Sequence, residues 1–93
     1  MALDVDAAAL LVYRAAWTKD VKKGRVSREA AMAKLFATDH AQVVIDKAVQ
    51  LFGGLGYMRE SEVERHYRDS RILRIGGGTD EIMNEVISKR IGL

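Results

Sequence analysis

The chain has 93 residues, no cysteine, no proline and a formal charge of +2 from fifteen basic and thirteen acidic side chains. That length suits one small domain, and 48% hydrophobic residues suit a folded chain rather than a disordered one. The missing cysteines exclude disulfides and thiolate metal sites, and the balanced charge gives no argument for nucleic acid or membrane. The longest wholly apolar run, Ala7 to Val12, is too short to span a bilayer, and Asp4 and Asp6 replace the basic start of a signal peptide.

The first predicted helix covers residues 3–23. Leu3, Ala7, Leu10, Arg14, Trp17 and Val21 follow helical spacing, and Leu11 and Ala15 widen the stripe. Arg14 interrupts it and needs a carboxylate or a path to solvent. Lys22 and Lys23 followed by Gly24 read as a C-terminal signal, with the glycine taking the left-handed conformation.

Ser27 is the expected N-cap of a second helix reaching Phe52, with Glu29 in its first turn and a length on the order of 37 Å. Ala31, Leu35, Thr38, Ile45, Val49 and Phe52 mark one face. Met32, Phe36, Val43 and Gln50 mark a neighbouring one, so this helix is expected to pack on more than one neighbour. Glycines 53, 54 and 56 end it in a tight loop. A third helix is predicted over residues 61–73. Glycines 76–78 then break the chain, and Thr79 caps a last helix over residues 80–90, acidic at its start and basic at its end as the helix dipole prefers. No segment alternates as a surface strand does, so the fold class is all-α.

Arg65, Arg68, Arg71 and Arg74 recur every third residue, but a regular α-helix carries Arg74 to roughly the opposite side from Arg65. Pairs Glu64–Arg68 and Arg65–Asp69 at i,i+4 favour an ion-pair network over a nucleic-acid surface. His40 and His66 have no second ligand at metal-binding spacing. The segment Gly76-Gly77-Gly78-Thr79 opens a helix but lacks the Lys-Ser/Thr of a P-loop. Asp80 and Glu81 there suit sugar hydroxyls or an adenine amino group better than phosphate. A capped glycine loop with no ligand is the plain alternative. The glycines after Gln50 also allow another backbone or a flat ligand to approach closely.

Three strings in order carry a resemblance: AVQLFGGLGY at residues 48–57, VERHYRDSRI at 63–72 and IGGGTDEI at 75–82. They resemble, at matching spacing, the signatures of the C-terminal helical domain of acyl-CoA dehydrogenases. YRAAW at 13–17 and AKLFA at 33–37 sit where that family has similar stretches. The resemblance covers nearly the whole chain but only about the last quarter of a family member. It implies a four-helix-bundle segment lacking its first helix and completed by oligomerisation, with residues 1–93 forming one domain.

The same resemblance implies oxidation of the Cα–Cβ bond of an acyl-CoA in the full enzyme, with FAD as cofactor. Gln50, Gly53, Gly54, Thr79 and Glu81 match FAD-contacting positions, and Gly77 and Gly78 match positions beside the substrate. Gly77 stands where many members carry the catalytic glutamate. Glycine has no side chain, so no catalytic residue is assigned, and the pattern looks most like the isovaleryl and long-chain branches, whose base comes from an earlier helix. The expected partners are further copies of the chain and a complementary dehydrogenase subunit, without nucleic acid or membrane insertion. The expected location is the cytoplasm, or the mitochondrial matrix in a eukaryote. The chain alone is expected to be inactive. A second reading is a truncated homologue that acts only as a self-associating or partner-binding helical module.

Overall fold

The structure, a computed structural model, describes residues 1–93 and is wholly helical. Helix α1 (Ala2–Trp17) continues through a π-helical turn, Thr18–Lys22. The chain reverses at Lys23, whose φ of 52° is left-handed, so the lysine and not Gly24 takes the position expected for glycine. Helix α2 (Ser27–Phe52) follows. Ser27 is its first helical residue, not its cap. Val26 occupies the cap position, and no side chain caps this end.

Helices α1 and α2 form an antiparallel hairpin. Asp4 near the start of α1 faces His40 at 3.9 Å, and Arg14 near its end reaches the Met32 sulfur at 3.4 Å. Asp4, Ala8, Leu11 and Ala15, spaced as one helical face, are half-buried. The stripe expected to form the core faces the other way: Leu3, Leu10, Trp17 and Val21 are exposed, with Leu10 at 68%. Leu11 and Ala15, which only widened that stripe in the sequence pattern, lie on the side turned toward α2. On α2, Ala31 and Ala33 are both buried though two residues apart. Two positions apart on a helix point to different sides, so α2 is indeed enclosed from more than one direction.

A one-turn helix, α3 (Gly54–Tyr57), replaces the loop expected after Phe52. Gly56 is buried there, and glycine is required because a Cβ would sit 2.7 Å from the Val49 carbonyl oxygen and 2.9 Å from Phe52 Cβ. Helix α4 (Glu62–Asp69) is shorter than predicted, and its continuation, Ser70–Arg74, is a 3₁₀ helix. Helix α5 (Asp80–Arg90) begins at Thr79, whose Oγ1 accepts the Ile82 N–H at 3.2 Å as a cap should. Both α4 and α5 pack on α2, which is the spine of the molecule.

That spine does not close a core. Four residues are buried, and the radius of gyration of 15.5 Å exceeds the roughly 12 Å of a compact chain this long. The accessible surface, 6648 Å², likewise exceeds the roughly 5400 Å² of a compact monomer of this mass. No helix is long and apolar enough to cross a membrane.

Candidate functional site

The residues singled out in the sequence fall at two places on the spine. At the first, the 3₁₀ segment and the glycines that follow it lead into α5. Gly77 and Gly78 have φ of +72° and +121°, which explains glycine at both positions. Beyond Gly77 lies open space, whereas a Cβ on Gly78 would meet the Met83 methyl at 2.5 Å. Thr79 caps α5, and Glu81 is exposed in its first turn.

Helix α2 supports this loop from behind. Lys34 Nζ donates to the Gly78 carbonyl oxygen at 2.5 Å. Arg74 bridges the loop. Its Nε donates to Asp80 Oδ2 at 2.7 Å, its NH1 donates to Gln42 Oε1 at 2.9 Å, and its NH2 lies 3.3 Å from Asp39 Oδ1. Arg71 NH1 donates to the same Gln42 oxygen at 3.1 Å. The 3₁₀ pitch makes this convergence geometrically available, because three residues per turn bring positions i and i+3 into line. The Arg74 guanidinium is held above its usual range, first by the hydrogen bond to Asp80 and then by the charges of Asp80, Asp39 and Glu81, with desolvation opposing. Asp80 is therefore not the free acid imagined at this helix start. One of its oxygens carries the arginine, and the other, Oδ1, is buried without a hydrogen-bond partner.

Elsewhere in the arginine row, Glu64 and Arg68 pair as expected, with Nε donating to Oε1 at 2.6 Å. That bond is the main reason the Arg68 guanidinium is also raised. Arg65 approaches Glu62 at 3.9 Å rather than Asp69. His40 stacks on Phe36 with ring centroids 3.8 Å apart, and His66 lies 3.1 Å from Glu62.

The second place is the C-terminal end of α2. Gln50 is exposed there, Gly53 has φ of +63°, and nothing lies within 4 Å of a Cβ built on Gly53 or Gly54. Leu51, Leu55 and Tyr57 are exposed beside them, Tyr57 at 85%. Between the two places, a groove of about 540 Å³ runs between α2 and the α4 side, lined in part by Gln42, Asp46, Tyr67 and Arg71.

The chain thus gathers Gly77, Gly78, Thr79 and Glu81 at one locus and Gln50, Gly53 and Gly54 at another, and does not bring the two sets together. Lys34, which touches the first, lies sixteen residues before Gln50 on the same helix, or about 24 Å at the α-helical rise. Sequence reasoning missed Lys34, Asp39 and Gln42 as supports of the glycine loop. Their partners are 44, 35 and 32 positions away, and no local spacing signals such contacts.

A family model for "Acyl-CoA dehydrogenase, C-terminal domain" matches residues 1–92. Human mitochondrial short-chain specific acyl-CoA dehydrogenase is 50% identical over 88 residues, covering 95% of this chain and 21% of that protein. Among solved structures, a probable acyl-CoA dehydrogenase from Mycobacterium abscessus superposes with a TM-score of 0.91 at 54% identity, covering 99% of this chain and 24% of the other. The FAD complex of PigA superposes with a TM-score of 0.94 at 32% identity over the whole chain and 24% of the other. The chain spans between a fifth and a quarter of the length of these proteins.

Proposed function

The chain belongs to the acyl-CoA dehydrogenase family, as its C-terminal domain, and from that premise we propose that it supplies two partial FAD contacts and a subunit-contact surface to a larger acyl-CoA-oxidising flavoprotein. The observation that carries this reading is the separation of the two exposed glycine loci by about 24 Å along α2. One compact pocket cannot use both. Two parts of a shared site can.

The residues present suit partial contacts with FAD. The open side of Gly53 and Gly54 lets a flat group approach the backbone, with the Gln50 amide beside it. At the other locus Glu81 is exposed, and Thr79 keeps its hydroxyl on the α5 cap. Bound FAD would accept the hydride in oxidation of an acyl-CoA. This chain's residues would hold and orient without moving a proton, because Gly77 has no carboxyl group to act as base. Gly77 thereby supports the isovaleryl or long-chain-like placement, in which the base is carried on another element. The chain on its own is inactive in this reading.

The exposed face of α1 and the exposed cluster of Leu51, Leu55 and Tyr57 support self-association or docking of a complementary subunit. The excess surface over a compact monomer, roughly 1200 Å², is of the size a specific interface removes. The parent protein would reside in the cytoplasm, or in the mitochondrial matrix of a eukaryote.

The test is flavin binding by the purified chain with and without the remaining domains of a family member, read by quenching of FAD fluorescence and by sedimentation. Saturable quenching that needs both parts, reduced by Gln50→Ala, is expected. A mixture that sediments as one complex yet binds no flavin would sink the shared-site reading. It would favour the second one, a self-associating module, for which the barely closed core is the supporting observation.

A further inference from the structure

Three consecutive glycines are an expensive segment to order, because glycine loses more backbone freedom on folding than any other residue. The two ends of this segment are tied locally. Gly76 N–H donates to the Ile72 carbonyl at 2.7 Å, and Thr79 is fixed by its cap to Ile82. The middle is tied at a distance. The Gly78 carbonyl accepts the Lys34 ammonium from α2, a charge-assisted bond and among the stronger kinds in a protein. Lys34 is itself well seated: Thr38 Oγ1 donates to its carbonyl at 2.8 Å, and its neighbour Ala33 is buried. At Gly77 the loop is open, since a Cβ built there would have no atom within 4 Å.

We propose that Lys34 is the positioning residue of the glycine loop, pinning the Gly78 carbonyl to α2 so that Gly77 and Thr79 are presented in one orientation to a ligand on the open side. The proposal rests on the reading of residues 77–81 as a ligand-contacting surface. Lys34 touches no ligand in it and acts through the backbone of Gly78. Arg74, tied to Asp39, Gln42 and Asp80, holds the segment's two flanks and leaves its middle to Lys34.

The experiment is backbone ¹⁵N relaxation on the 93-residue chain, comparing the native protein with Lys34→Met, which keeps the bulk and removes the donor, and Lys34→Arg, which restores a cation. In the native chain Gly77 and Gly78 should have order parameters near the rigid-backbone value of about 0.85. Lys34→Met should drop both below about 0.6 while α2 amides stay rigid. Lys34→Arg should recover most of the loss. Unchanged glycines in Lys34→Met, a uniform loss of order along the chain, or no recovery in Lys34→Arg would each overturn the proposal. No ligand is used, so failure of flavin binding in the complemented mixture would leave the positioning role standing. Conversely, a mobile loop in the native chain would remove this role alone.

Discussion

Arg74 and Asp80 stand on opposite sides of the glycine loop, and the arginine Nε donates to the aspartate Oδ2 at 2.7 Å. The pair closes the loop into a short ring, with its ends six positions apart, and Arg74 extends the tie to Gln42 and Asp39 on α2. Removing either partner strands the other in a half-buried place. Arg74→Ala and Asp80→Ala should each lower the urea midpoint, and the double variant should lose clearly less than the sum of the two single losses. Arg74→Lys should recover only part, because one ammonium cannot match a planar fork aimed at three acceptors. A double-mutant cycle in urea checks this, and additive losses would mean that the bond contributes nothing.

Two nearby glycines should respond oppositely to alanine. A Cβ at Gly56 would lie against the Val49 carbonyl and the Phe52 Cβ, neither of which can move without shifting α2. Gly56→Ala should therefore cost about 1–3 kcal/mol. At Gly54 nothing lies within 4 Å and φ is not positive, so Gly54→Ala should stay within about 0.5 kcal/mol of the native chain. Paired denaturation curves decide the matter.

Gly77 has room for a side chain but not the backbone conformation for one, with φ of +72°. Placing a glutamate here, as Gly77→Glu, should cost about 1–2 kcal/mol from left-handed backbone alone. Gly77→Asn should cost less, because asparagine tolerates that region. Thermal melts of the two variants test the ranking. A Gly77→Glu variant as stable as the native chain would show that the loop readily changes conformation.

The Glu29 carboxyl, in the first turn of α2, is held below the usual carboxylate range. The first cause is a hydrogen bond from its own backbone N–H, and the Arg28 guanidinium at 3.0 Å and the charge of Arg14 add to it, while desolvation opposes them. A lowered folded value means that the unfolded chain binds the proton more readily. The stabilisation is therefore complete above the ordinary carboxylate range and is lost as pH falls through the lowered value. Glu29→Gln should flatten that part of the acid limb. Urea midpoints measured over about pH 3 to 6 on the two proteins would reveal it, and parallel curves would remove Glu29 from the account.

Much of this molecule was legible locally. The Thr79 cap, the acidic start and basic end of α5, the Glu64–Arg68 pair and the extent of α2 follow from neighbours within a turn of one another. Family membership was legible too, because three motifs at fixed spacing are a property of order along the chain. Local signals also misled. Ser27 reads as a cap but is the first helical residue, and Gly24 reads as the left-handed stop although Lys23 takes that conformation. In each case the residue that takes the role is the immediate neighbour of the one the signal named.

The sequence by itself determined the three long helices and the family they belong to, since capping, periodicity and motif order act over a few residues or along the chain. The tertiary structure alone decided which face of α1 turns inward, where the helix after Asp69 tightens, and that Lys34 meets Gly78 across 44 positions. It also decided that Arg71 and Arg74 share the Gln42 oxygen on α2, about thirty positions earlier in the chain. Contacts between distant elements depend on how whole helices seat against α2. The packing of the set selects that arrangement, and no local pattern encodes it.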